Sequence, residues 1–157
     1  MSGSGAVRIR KAKAADEAAI HQVAERAFAL YVAAIGARPA PMDADYRAHI
    51  ENGSVLVAEA AGQCAGFAVC YPEAPDAWHL ETVAVAPERQ GEGIGGRLIA
   101  ACEARAGEAG AAFMRLYTNV AMTGNLTLYP RLGYRETRRA RQHGFDRVFF
   151  EKPLAGG

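Results

Sequence analysis

The sequence is poor in most of the features that mark a specialised class. Its three cysteines, Cys64, Cys70 and Cys102, form no C-x-x-C pair. Neither a disulfide framework nor a zinc site is expected, and reduced thiols in a cytoplasmic protein are the plain reading. No sign of charge prevails: 18 basic and 17 acidic residues leave a net charge of +1. That balance gives no electrostatic case for a nucleic-acid or membrane partner. No apolar run approaches the ~20 residues of a membrane span. The opening MSGSG lacks the basic and apolar regions of a signal peptide and reads as a flexible tail. What remains is ordinary globular composition, 50% hydrophobic and 22% charged over 157 residues, enough for one well-cored domain. The expected organisation is a single domain over residues 7–153 with flexible tails at 1–6 and 154–157.

Glycine is where the sequence becomes specific. Gly91, Gly93, Gly95 and Gly96 fall within six residues, between the apolar stretch 79–85 and a helical pattern that runs to about residue 107. A tight glycine-rich turn that opens a helix presents unpaired N–H groups and the positive end of the helix dipole, a natural anion site. Three phosphate readings compete. The Walker pattern fails, because no Lys-Ser or Lys-Thr follows the glycines. A dinucleotide pattern matches formally as Gly91-x-Gly93-x-x-Gly96, but Pro87 to Gln90 separate it from its strand. The next strand candidate, 113–118, also lacks the acidic residue that binds a ribose. The third reading, Gln90-x-x-Gly93-x-Gly95, resembles the coenzyme A pyrophosphate loop of the GNAT superfamily of N-acetyltransferases.

Two further segments are similar to the same family. Leu80-Glu81-Thr82-Val83-Ala84-Val85-Ala86-Pro87 resembles its central strand, which runs into the loop. Asn125-Leu126-Thr127-Leu128-Tyr129-Pro130-Arg131-Leu132-Gly133-Tyr134 resembles its late helix, which ends at a Leu-Gly-aromatic turn. The resemblance covers about residues 7–152.

The order of elements agrees with that fold. A strand at 7–11 precedes a helix opened by Asp16 and reaching about Tyr31, with Ile20, Val23, Ala24, Ala27 and Phe28 on one face. A breaker-rich loop at 36–41 and a short helix at 43–51 follow. Strands at 54–60 and 64–71 form a hairpin about Ala61-Gly62, and 77–85 completes a meander. After the glycine-loop helix come a strand at 113–118, a helix at 125–132 capped by Gly133, and strands near 134–138 and 145–152. A meander ahead of a helix is not a repeating βαβ. The predicted fold class is α/β, an α+β mixed sheet with helices on both faces. The resemblance adds a mostly antiparallel central sheet splayed in the middle.

The implied reaction is transfer of an acetyl group from acetyl-CoA, the cosubstrate, to a primary amine by direct attack, with no metal. The pyrophosphate falls to Gln90, Gly91, Glu92, Gly93, Ile94, Gly95 and Gly96, with Arg97 or Arg89 adding charge. By resemblance the backbones of Val83, Ala84 and Val85 meet pantetheine, while their side chains pack. Tyr129 matches the tyrosine many members use as general acid; a phenol near pKa 10 is protonated at neutral pH and can protonate a thiolate. The alternative is packing beside Leu126, Leu128 and Leu132. Glu81, then His79, are the base candidates. Simple alternation puts both on one side of the strand with Val83 and Val85. A carboxylate in an apolar strand is costly unless paired or used, and an ion pair with Arg115 is the structural alternative for Glu81. Asn125 is a cofactor contact or a helix N-cap; many members carry an asparagine seven residues before the tyrosine, where this chain has Met122.

The acceptor is not identified. The resemblance assigns it to residues 31–42 and to the final hairpin, 136–145. Arg138, Arg139 and Arg141 there are a solvated face or hold an anionic acceptor. A non-catalytic acyl-CoA-binding or regulatory module is the alternative function, and retention of Tyr129 and Glu81 counts against it. The sequence leaves the oligomeric state open, a homodimer included.

Overall fold

In the computed structural model, residues 6–154 are described. Among them β1 (Arg8–Lys11), β2 (Val55–Ala60), β3 (Gln63–Ala74), β4 (Ala77–Val85), β5 (Phe113–Asn119), β6 (Arg135–Gln142) and β7 (Phe145–Pro153) form one sheet. Its order is β1-β2-β3-β4-β5-β7-β6. Every neighbouring pair is antiparallel except β4 and β5. The β2–β3 hairpin closes at Ala61-Gly62, both at positive φ (52° and 76°), the twist that a tight hairpin requires.

Each face of the sheet carries its own core. On one side α1 (Glu17–Phe28) and α3 (Tyr46–Glu51) cover Val55, Val57, Phe67, Val69 and Ala84. On the other, α4 (Ile94–Glu108) and α5 (Thr123–Arg131) cover Leu56, Ala68, Leu80, Met114 and Phe150. Phe67 and Leu98 are fully buried; each such side chain contributes about 1.5–3 kcal/mol by leaving water.

Several boundaries differ from the sequence expectations. The first helix stops at Phe28 rather than Tyr31, and α2 (Tyr31–Ile35) continues after a tightened turn in which Val32 N–H reaches Ala29 O at 3.2 Å. Ala29 and Leu30 keep helical angles, so the ladder changes pitch without changing direction. α3 begins only at Tyr46, where the Asp45 carboxylate accepts from Ala48 N–H at 3.1 Å as an N-cap. α5 starts two residues before Asn125 and ends at Arg131, before Gly133 at φ 97°. Leu154, expected in a flexible tail, is instead docked: its N–H donates to Ala112 O at 2.8 Å and its side chain packs on the core. The rest of both expected tails, 1–5 and 155–157, lies outside the described residues.

Candidate active site

The site begins where β4 leaves β5. These parallel strands pair at only three positions, ending at His79↔Arg115. β4 stays paired with β3 as far as Val85, while β5 stays with β7 as far as Asn119. The β5-facing backbone of β4 beyond His79 therefore has no strand partner, and a cleft of about 320 Å³ opens there. A β-bulge lies at the point of separation: Cys70 pairs with Leu80 and Val69 with Thr82, leaving Glu81 as the extra residue. Bulges bend a strand and sharpen its twist.

The bulge also corrects the expectation of simple alternation. Leu80, Val83 and Val85 pack toward α4. His79 pairs with Tyr71, and Ala84 with Phe67, on the opposite face toward α1 and α3. Glu81 and His79 thus do not share a face with Val83 and Val85.

The expected ion pair of Glu81 with Arg115 is absent. Glu81 accepts from the Tyr71 hydroxyl at 2.6 Å and lies 3.0 Å from His49 Nε2. The His49 ring stacks on Tyr71 at 5.8 Å. Arg115 pairs with Glu151 at 2.8 Å and approaches Glu73 at 3.8 Å. Glu81 lines the cleft; His79 does not. His79 is buried between Tyr71 and Tyr117, its Nδ1 3.2 Å from Glu73, and burial lowers its pKa against the opposing pull of Glu73.

At the far end of β4 the chain turns through Pro87–Arg89 into the glycine loop. Gly91 and Gly93 have φ of 87° and 81°, values open to glycine and strained for other residues. Gly93 is the N-cap of α4 and its carbonyl accepts from Arg97 N–H at 3.1 Å. The N–H groups of Ile94, Gly95 and Gly96 in that first turn have no helical acceptor. A Cβ at Gly95 would touch Val85 at 3.6 Å, so the helix start abuts the end of β4. A Cβ at Gly96 would meet nothing within 4 Å.

The loop's charged side chains are committed elsewhere. Arg89 pairs with Glu92 at 2.9 Å. Arg97, expected to add positive charge, donates to Val7 O at 3.0 Å, because its place on α4 turns it toward the start of the chain. Gln90 donates to Val85 O at 3.2 Å and braces the strand end. Positive potential at this helix start thus comes from backbone N–H groups and the helix dipole.

α5 supplies the opposite wall. Tyr129 is buried against Tyr134 and Phe150, with ring centroids at 5.6 and 5.8 Å, yet it lines the cleft. Burial pushes its pKa up to about 12, so the phenol keeps its proton at neutral pH. Asn125 is not the N-cap, a position held by Met122; its side chain donates to Thr118 Oγ1 at 3.0 Å across the cleft wall.

The remaining wall comes from the α1–α3 connection (Ile35, Pro39, Pro41) and from β7 (Phe145, Arg147). The arginine cluster takes no part. Arg138 lies over the Phe149 ring at 3.9 Å, while Arg139 and Arg141 pair with Glu136 and Asp146. Arg147, on β7 two residues after Phe145, is the arginine that lines the cleft. Sequence reasoning also missed His49, Tyr71 and Tyr117. Period-2 alternation of Phe145, Arg147 and Phe149 was the one local signal for Arg147; no local signal brings His49 to Glu81.

Comparison with known proteins agrees with this geometry. The profile described as "Acetyltransferase (GNAT) family" matches residues 15–134. An uncharacterized N-acetyltransferase of Bacillus subtilis, YhfO, is 31% identical over 137 residues, spanning 83% of this chain and 91% of that protein. The crystal structure of a ribosomal-protein-alanine N-acetyltransferase from Brucella melitensis superposes with a TM-score of 0.76 at 26% identity, over 94% of this chain and 99% of its own. PaiA N-acetyltransferase from Thermoplasma acidophilum, solved in complex with coenzyme A, gives 0.80 at 20% identity over 94% and 99%. The chain belongs to the acetyltransferase (GNAT) family.

Proposed function

We propose that the protein transfers the acetyl group of acetyl-CoA to the primary amine of an acceptor bound in the β4–β5 cleft. The observation that carries this reading is a line of backbone groups without a strand partner, interrupted only where Gln90 holds Val85 O. It runs from the first turn of α4 along the freed edge of β4 to the Tyr129 ring. The N–H groups of Ile94, Gly95 and Gly96 hold the pyrophosphate. Within Val83 to Val85, the β5-facing groups of Val83 and the Val85 N–H bond the pantetheine amides as an added strand would, while Ala84 stays paired with Phe67 on β3. Acetyl-CoA supplies an activated thioester, and this chain supplies position and protons.

Glu81 takes the proton of the acceptor ammonium, held in place by Tyr71 and His49. Tyr129 gives its phenolic proton to the departing sulfur. Each positioned acid or base contributes on the order of 10²–10⁴-fold.

The test is a titration of acetyl-CoA into the parent and Gly96→Leu proteins. Nothing lies within 4 Å of a Cβ there, so the leucine meets no clash in the fold and adds bulk beside the first-turn donors. A bound ligand at a hundred times its Kd stabilises by about 2.7 kcal/mol. The parent should show that gain in melting temperature and the variant should lose it. Equal stabilisation of both, or equal stabilisation of the parent by NAD, would remove the assignment.

A further inference from the structure

The cleft holds a pattern of charge that acetyl transfer itself does not use. Its lining contains one carboxylate, Glu81, and one guanidinium, Arg147; most of the rest is apolar. Like Arg138, which lies over the Phe149 ring, Arg147 is held by an aromatic face rather than a carboxylate, and of the two it is the one that lines the cleft. Arg139, Arg141 and Arg115 each have a carboxylate partner. Among the described residues Arg147 has none. Its guanidinium lies 4.2 Å above the Tyr117 ring and donates through Nη1 to the neutral Gln142 Oε1 at 3.2 Å. Stacking on an aromatic face fixes the plane of a guanidinium and leaves its outer edge available. Arg147 is only partly buried, and its planar fork matches a carboxylate.

On the cleft side the groups around Arg147 are apolar or neutral, while along the β6–β7 hairpin it also borders Arg139, Arg141 and Asp146, and its charge reaches His79. Phe145 sits beside it on β7 with its ring 6.0 Å away, and Tyr117 and Asn119 come from β5. Across the cleft stand Phe28, Ile35, Pro39 and Pro41. Glu81 lies on the β4 wall, where an ammonium must arrive to lose its proton. The cleft, about 320 Å³, is at the small end of the roughly 300–1,000 Å³ usual for small-molecule sites, and because the acyl arm along β4 shares it, the room left for the acceptor is smaller still.

We infer that the acceptor is a small amino acid-like amine that carries a free carboxylate and an apolar side chain. Arg147 binds the carboxylate, Glu81 receives the ammonium, and the Phe28–Pro41 wall takes the side chain. This inference rests on the acetyl-transfer reading and narrows it. It moves anion recognition from the exposed β6 arginines to one residue on β7. A peptide N-terminus has no carboxylate beside its amine and does not complete the site.

The experiment compares four acceptors with saturating acetyl-CoA: L-phenylalanine, L-phenylalaninamide, 2-phenylethylamine and glycine. Free thiol release is followed, and acetyl-CoA affinity is measured separately by calorimetry. L-Phenylalanine should exceed each of the others by about tenfold or more in kcat/KM, because each of those three lacks one recognised group. In Arg147→Gln the ratio of acid to amide should collapse toward one through KM, and Arg147→Lys should recover part of it. The inference is overturned if the amide or 2-phenylethylamine matches the acid, if the ratio survives in Arg147→Gln, or if acetyl-CoA binds and none of the four reacts. Failure of acetyl-CoA to bind at all strikes the acetyl-transfer reading instead.

Discussion

Replacing Tyr129 by phenylalanine separates chemistry from packing at the centre of the site. The ring is buried against Tyr134 and Phe150, and phenylalanine keeps those contacts. The residue lines the cleft and its hydroxyl makes no hydrogen bond within the described residues, so its loss leaves no orphaned partner. Stability should therefore stay within about 0.5 kcal/mol of the parent, or roughly 1–2 °C in Tm for a chain of this size. Turnover should fall about 10²–10⁴-fold, which is about 2.7–5.4 kcal/mol at 1.36 kcal/mol per decade. Acetyl-CoA affinity should hardly change, because the hydroxyl is used only as the sulfur departs. Burial holds the phenol pKa at about 12, so this group should cause no loss of rate between pH 7 and 10. The assay is thiol release under saturating substrates, beside calorimetric Kd and thermal unfolding. Unchanged turnover would make Tyr129 a packing residue; parallel loss of turnover and Tm would make it a structural one.

Two further outcomes follow from the same geometry. Gly66→Ala should destabilise the fold by about 1–3 kcal/mol, since the new Cβ would lie 2.7 Å from Ala84 O and 3.3 Å from Val85 Cα, backbone atoms that cannot step aside; chemical denaturation without ligand checks this, and parent-like stability would contradict it. For His79, burial disfavours the charged form in the folded state, whereas the unfolded chain takes up that proton near pH 6.5. Below that value the unfolded state binds more protons, so stability should fall as pH drops from about 6.5 toward the lowered native pKa. The slope over that window should flatten in His79→Gln, and identical slopes would refute the assignment.

The fold was legible where one stretch of chain carries its own signal. The 77–85 strand, the glycine turn at its end and the helix after it announce themselves by alternation, positive-φ glycines and period. The Leu-Gly-Tyr stop after α5 does so as well. The site was legible only in part, because its geometry is set by partners distant in sequence. The bulge at Glu81 exists in the pairing of β4 with β3 and has no local mark. Without it, alternation assigns Glu81 to the same face as Val83. His49 meets Glu81 because α3 packs over that face, 32 positions away by the numbering of the two residues. Arg138, Arg139 and Arg141 stand out as a run of like charge, but each found a carboxylate or a ring on its own hairpin. A charge cluster in sequence says nothing about which members are already neutralised.

The central claim is that the first turn of α4 and the freed edge of β4 form one binding surface for acetyl-CoA. Backbone amide NMR tests it most directly. On titration with acetyl-CoA, the largest shifts should fall on the N–H groups of residues 91–96 and 83–85, with Tyr129 affected and the β6 arginines silent. NAD at the same concentration should leave residues 83–85 unmoved. Shifts confined to the loop, or centred on the β6–β7 hairpin, would contradict the claim.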